Sequence, residues 1–195
     1  MNGFEFVFSL FGLLLGLSLA EILGGFAKAV KRHGRQKLGV LTPMLSVFLL
    51  YDITTFWIAA WRLREGLPIV MPTLFTGLIV TGLYYFAAVL VWPEDPPPGS
   101  GEKASGWNDL DGWMLEHKSQ VMLSVIASNL LSATAVAYMA PESFAWGPVE
   151  LTVLSLYFSF MLATAFAKGR RATAATLGVL IALYGLDLFL NVSGG

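Results

Sequence analysis

Residues 69–92 read IVMPTLFTGLIVTGLYYFAAVLVW, and residues 93–101 read PEDPPPGSG. The first stretch holds no Asp, Glu, Lys, Arg or His. At about 1.5 Å of rise per residue it is long enough to cross a hydrocarbon core of about 30 Å as an α-helix. The second stretch stops that helix, because its prolines and glycines cannot continue it and its acids prefer water. A helix apolar all round with an abrupt polar stop reads as a membrane span. The same pattern recurs along the chain, with apolar runs near 5–27, 40–60, 119–140, 149–167 and 172–192. Together the runs take up most of the 195 residues. The expected fold is therefore all-α, a polytopic membrane protein built as a bundle of about six transmembrane helices. One transmembrane domain, 1–195, divides into two three-helix halves, 1–92 and 107–195, joined by the Pro/Gly-rich linker 93–106.

Composition agrees. Apolar residues make up 56% of the chain and charged residues 13%, against about 45–50% and about 25% in ordinary soluble domains. Disorder is excluded by the first figure, and a net charge of −1 offers no basic surface for nucleic acid. The chain has no cysteine, which removes disulfides, thiol nucleophiles and thiolate metal sites. The opening Met1-Asn2-Gly3-Phe4-Glu5 lacks a basic segment and leads into a run too long for a cleavable signal, so the first span is expected to stay.

Six spans place the loops alternately on two sides. One side collects Lys28, Lys31, Arg32, Arg35, Lys37, Lys103, Lys118, Lys168, Arg170 and Arg171, whereas the other has only Arg62 and Arg64. Cytoplasmic loops carry the excess of Lys and Arg, so both termini are expected on the periplasmic or extracellular face. Trp61, Trp92, Trp107, Trp113 and Trp146 fall at or beside span ends, where indoles anchor at the interface, and Trp57 lies inside. Trp107, Leu110, Trp113 and Met114 recur at helical spacing, either as a short helix on the membrane surface or as an extension of span four. Val47 with Leu50-Tyr51 resembles Val153 with Leu156-Tyr157, the trace either of an inverted repeat or of chance between apolar sequences.

Glu21, Asp52, Asn129 and Asp187 lie within spans, where ionisable groups are costly and point to function by default. Counting about 1.5 Å per residue from the cytoplasmic boundary puts Glu21 roughly 9 Å deep, Asn129 about 15 Å, Asp52 about 18 Å and Asp187 about 22 Å. With every Lys and Arg assigned to loops, such a carboxyl is protonated, hydrated in a cavity or balanced by a bound cation. The structural alternative is a polar contact that holds helices together. In span six Thr173, Thr176, Tyr184, Asp187 and Asn191 share one face, and in span four Gln120, Ser124, Ser128 and Ser132 do so beside Asn129. Spans two, four and six are thus expected to line one cavity, with Glu21, Asp52, Asn129, Asp187, Tyr184 and Asn191 as a candidate proton or cation pathway. In span one Gly12, Gly16, Ala20 and Gly24 recur every four residues, a candidate helix-packing face inside the bundle or between copies.

His33 and His117 fall on the same expected side, each where a lone histidine is solvated. No metalloprotease, hydrolase, nucleotide or dinucleotide motif occurs, so no catalytic residue, cofactor or metal ligand is expected.

Phe4-Glu5-Phe6, Gly16-Leu17 followed by Ile22-Leu23 and Gly25, Trp61-Arg62-Leu63-Arg64, and Leu83-Tyr84-Tyr85-Phe86-Ala87-Ala88 running to Pro93 carry a resemblance. By these the chain resembles an uncharacterised family of small multi-pass bacterial inner-membrane proteins, up to just past Asp109-Leu110-Asp111. Glu21 stands where that pattern has Gln or another polar residue. The resemblance implies a bacterial inner-membrane setting and no activity. Two functions remain open: a non-catalytic membrane subunit or regulator, in a homo-oligomer or larger membrane complex, and a small transporter or channel with a proton or cation route. Any enzyme activity would lack identified machinery, and the one partner every reading shares is the lipid bilayer.

Overall fold

A computed structural model describes residues 3–32, 39–63, 68, 70–95, 106–139, 141 and 147–193, without the side chains of 3–7, 150 and 187–193. Six α-helices follow in order: α1 Gly3–Arg32, α2 Leu41–Arg62, α3 Met71–Val91, α4 Leu110–Met139, α5 Pro148–Phe166 and α6 Arg170–Ser193. A 3-10 turn at Gly106–Asn108 precedes α4. Among the described residues, four helices are long and apolar enough to cross a membrane: Phe8–Arg32, Leu41–Arg62, Met71–Val91 and Leu110–Met139. Leu151–Phe166 is a shorter apolar helix. The chain is thus an all-α protein with the helices of an integral membrane protein.

Local sequence sets the helix ends. Pro72 and Pro148 sit in the first turns of α3 and α5, where a missing N–H costs nothing. The turn from α5 to α6 needs only Ala167, Lys168 and Gly169, and Gly169 adopts φ +83°, open to glycine without strain. Val40 supplies no side-chain cap for α2. Instead the Leu41 N–H donates to Asp111 Oδ1 of α4 at 2.9 Å.

The helices form a closed ring in the order α1, α3, α4, α5, α6, α2 and back to α1, with α2 also touching α3 and α4. The largest contact joins α3 to α4, from the two halves of the chain. These two run antiparallel, since Thr73 reaches Met139, Ser128 reaches Val80 and Trp113 reaches Leu90. The core is mainly apolar, with Phe48, Leu49, Val80, Ala87, Val121, Met122, Val125, Met161, Leu177 and Leu180 buried, and Asp52 and Lys118 buried among the polar residues.

One set of cross-helix polar ties gathers at one end of the bundle. Lys28 and Arg32 of α1 pair with Asp95 beyond α3 at 2.8 and 3.0 Å. Arg170 of α6 grips both oxygens of Asp109 at 2.7 and 3.0 Å. Thr42 of α2 donates to the Leu110 carbonyl. The ends of α1, α3 and α5 therefore lie beside the starts of α2, α4 and α6, an up-and-down alternation.

One detail departs from expectation. Lys118 is no loop residue, because α4 starts eight residues before it and continues without a break. It is buried and donates to the carbonyls of Thr164 and Ala165 at 3.0 and 2.7 Å. Of the two forms expected for the segment before span four, the structure has the N-terminal extension of α4, with Leu110 and Met114 buried and Trp107 buried in the 3-10 turn ahead of it.

Candidate functional site

Asp52 lies half-way along α2, buried to 1% exposure. Four helices close around its carboxyl group, each contributing one donor. Tyr84 of α3 donates its O–H to Oδ2 at 2.8 Å, and the Asn129 amide of α4 donates to the same oxygen at 3.1 Å. Tyr157 of α5 donates to Oδ1 at 2.5 Å, and Tyr184 of α6 donates to Oδ1 as well. The Tyr157 and Tyr184 hydroxyls also touch each other. The second amide hydrogen of Asn129 is held by its own helix, on the Val125 carbonyl at 3.0 Å.

An aromatic jacket surrounds the cluster. Phe48 lies 6.4 Å from the Tyr157 ring and 6.0 Å from the Tyr184 ring. Tyr51 stacks on Tyr184 at 5.8 Å, and Phe56 packs on Tyr84 at 5.4 Å. Asp52 and Tyr84 are fully buried, whereas Asn129, Tyr157 and Tyr184 are half-buried. Among the described residues no Lys, Arg or His bonds to the carboxyl.

Three of the six expected pathway residues, Asp52, Asn129 and Tyr184, thus meet at one point. Glu21 does not join them; it is exposed on the outer side of α1. Asp187 and Asn191 lie on α6, and their side chains fall outside the described residues. The hydroxyl stripes turn mainly onto their own backbones: Ser124 on Gln120, Ser132 on Ser128, Thr173 on Gly169 and Thr176 on Ala172. Tyr84 and Tyr157 are the residues that sequence reasoning missed. A mid-span tyrosine carries an O–H that needs a partner once buried, and pairing it with the mid-span aspartate is the signal that was there to use.

The small-residue stripe of α1 sits differently from the seam that packs. The buried residues of α1 are Leu15, Ser18, Ile22, Gly25 and Ala29, at the alternating three- and four-residue spacing of a helix seam. Gly25 admits the Trp92 ring so closely that a Cβ there would overlap it, and Gly77 of α3 does the same for Phe11. In the stripe, Gly12 faces Trp57, but Gly16 and Gly24 meet no neighbouring atom within 4 Å. Gly12, Leu15, Gly16, Leu19, Ile53, Thr54 and Trp57 border an apolar groove of about 300 Å3 between α1 and α2.

His117 stacks on Trp113 at 3.8 Å, with Nδ1 2.9 Å from the Trp113 carbonyl. His33 is outside the described residues. Among those residues no three His, Cys, Asp or Glu converge on a metal-sized space. Compared with known proteins, the chain matches no family model, no curated protein and no solved structure.

Proposed function

We propose that the protein is a non-catalytic membrane subunit or regulator, resident in a bacterial inner membrane, that associates laterally through the outer face of α1. One observation carries this reading. Ala20 and Glu21 are exposed on the outer side of α1, Gly16 borders the open groove between α1 and α2, and a Cβ added at Gly16 or Gly24 would meet no atom within 4 Å. Small residues let a second backbone approach closely, and a carboxyl facing lipid is costly until a partner helix covers it. The partner is a transmembrane helix of a second copy or of another subunit. All six helices span the bilayer in this reading, and the end bearing the Lys28, Arg32 and Arg170 ties faces the cytoplasm. Cross-linking tests it, using Ala20→Cys in a chain that has no native thiol. A cross-linked species in native membranes, lost on adding Gly16→Leu, supports the reading. A solitary monomer in both cases overturns it.

A second reading, a small transporter with a proton or cation route, is favoured by the meeting of Asp52, Asn129 and Tyr184. Flux in proteoliposomes tests it, and a flux unaltered by Asp52→Asn would count against it. Glu21 takes no part in such a route.

A further inference from the structure

We propose that the Asp52 cluster is a reversible proton-binding site, in which the paired hydroxyls of Tyr157 and Tyr184 keep every hydrogen bond satisfied in both charge states. An ionised carboxylate accepts about four hydrogen bonds and donates none. Here it receives four: Tyr84 and Asn129 on Oδ2, Tyr157 and Tyr184 on Oδ1. A proton added to Oδ1 turns that oxygen into a donor. It then donates to the Tyr157 hydroxyl, Tyr157 turns its own hydrogen to the Tyr184 oxygen it already touches, and Tyr184 continues to donate to Oδ1. Oδ2 keeps both of its donors. One proton is taken up and no hydrogen is left without an acceptor.

The contact between the two tyrosines makes this possible. With a single phenol on Oδ1, protonation would point two hydrogens at each other, because that phenol would have no other oxygen to turn to.

Tyr51 of α2 stacks on Tyr184, α3 contributes Tyr84, α4 contributes Asn129 with Ser128 nearby, and α5 and α6 contribute Tyr157 and Tyr184. Lys118 is occupied with the end of α5, and the Asp187 side chain is outside the described residues. Asp52 and Tyr84 are buried, whereas Asn129, Tyr157 and Tyr184 are half-buried. The inference is independent of the lateral contact through α1.

Infrared spectroscopy of the full chain in lipid tests it, following the C=O stretch of protonated carboxyl groups against pH. The expected result is a reversibly titrating band that is absent in Asp52→Asn. In Tyr157→Phe and Tyr184→Phe its midpoint should move by about one pH unit or more, a tenfold change in proton affinity, while Tyr51→Phe leaves it in place. If Asp52→Asn fails to fold, the two phenol variants carry the test through that shift. A spectrum with no titrating band between about pH 4 and 10, or a band that neither phenol variant moves, overturns the proposal.

Discussion

Lys118 shows how one residue can close a helix end inside a membrane protein. Helix α5 stops at Phe166, so the carbonyls of its last turn have no intrahelical donors. The Lys118 ammonium satisfies those of Thr164 and Ala165, at a helix terminus that favours positive charge. Lys118→Met retains the stem but leaves the Thr164 carbonyl without that donor, and a loss of about 1–3 kcal/mol is expected. Thermal melting in detergent measures it; a wild-type melting temperature would show that water replaces the ammonium. Asp52→Leu should be more severe, because four donors lose their common acceptor at once, and a buried one such as Tyr84 left without an acceptor costs about 1–3 kcal/mol. Melting or expression level reads this directly, and a stable Asp52→Leu protein would show that the tyrosines find acceptors elsewhere. The site was half legible in the sequence. Asp52 and Asn129 stand out because their polarity breaks an apolar run. Tyr84 and Tyr157 do not, since a phenol ring counts as apolar and neither sits in a polar stripe of the kind that marks Tyr184 in span six.

At the level of elements, α1 carries two stripes centred on roughly opposite sides of the helix. The strict four-residue repeat of Gly12, Gly16, Ala20 and Gly24 is the more conspicuous in sequence, yet the buried seam runs through Leu15, Ser18, Ile22, Gly25 and Ala29. Periodicity ranks faces by their own regularity, whereas packing depends on what the neighbouring helix presents, here Trp92 and the α3 surface. Gly25→Leu should therefore force Trp92 and the backbone apart, overpacking the seam by about 1–3 kcal/mol. Gly16→Leu should leave the melting of the isolated chain unchanged and alter only association, and equal destabilisation by both would mean that the two stripes are packed alike. The polar end of α1 makes a pH-dependent tie. The Lys28 ammonium hydrogen-bonded to Asp95 holds its carboxyl below the usual range, with Arg32 adding to the effect. A lowered folded value means the tie contributes fully above the ordinary carboxylate range of about 4 and is lost as pH falls through the folded value. Melting curves of wild type and Asp95→Asn should thus differ modestly at neutral pH and converge in acid, and a gap that persists in acid would exclude the ion pair as its cause. Both groups of the Lys28 pair are half exposed, which keeps the effect small.

For the molecule as a whole, hydropathy made the helices legible because each run must satisfy its backbone within itself in lipid. It could not give their neighbours. The ring order of α1, α3, α4, α5, α6 and α2 depends on side-chain contacts such as Gly25 with Trp92 and Asp52 with its four donors, and these have no signature in a window average. Hydropathy also fixed the start of the fourth span too late, since the first turns of α4 carry Asp111, Glu116 and Lys118 and bury their apolar face against protein. The alternation of helix direction ties the remaining question of sidedness to a single choice. Lys28, Lys31, Arg32, Lys118, Lys168, Arg170 and Arg171 all lie on or beside the bundle end where α1, α3 and α5 finish and α2, α4 and α6 begin, and Arg62 lies at the opposite end. Positive charge is retained on the cytoplasmic side during insertion, so that end should face the cytoplasm. Because the chain has no native thiol, single cysteines report the choice cleanly. An impermeant maleimide added to intact cells should label Gly195→Cys and spare Ser100→Cys until the membrane is permeabilised. The reverse pattern would invert the molecule. Labelling of both before permeabilisation would break the proposed six-span arrangement, in which α4, α5 and α6 each cross the bilayer between the two positions.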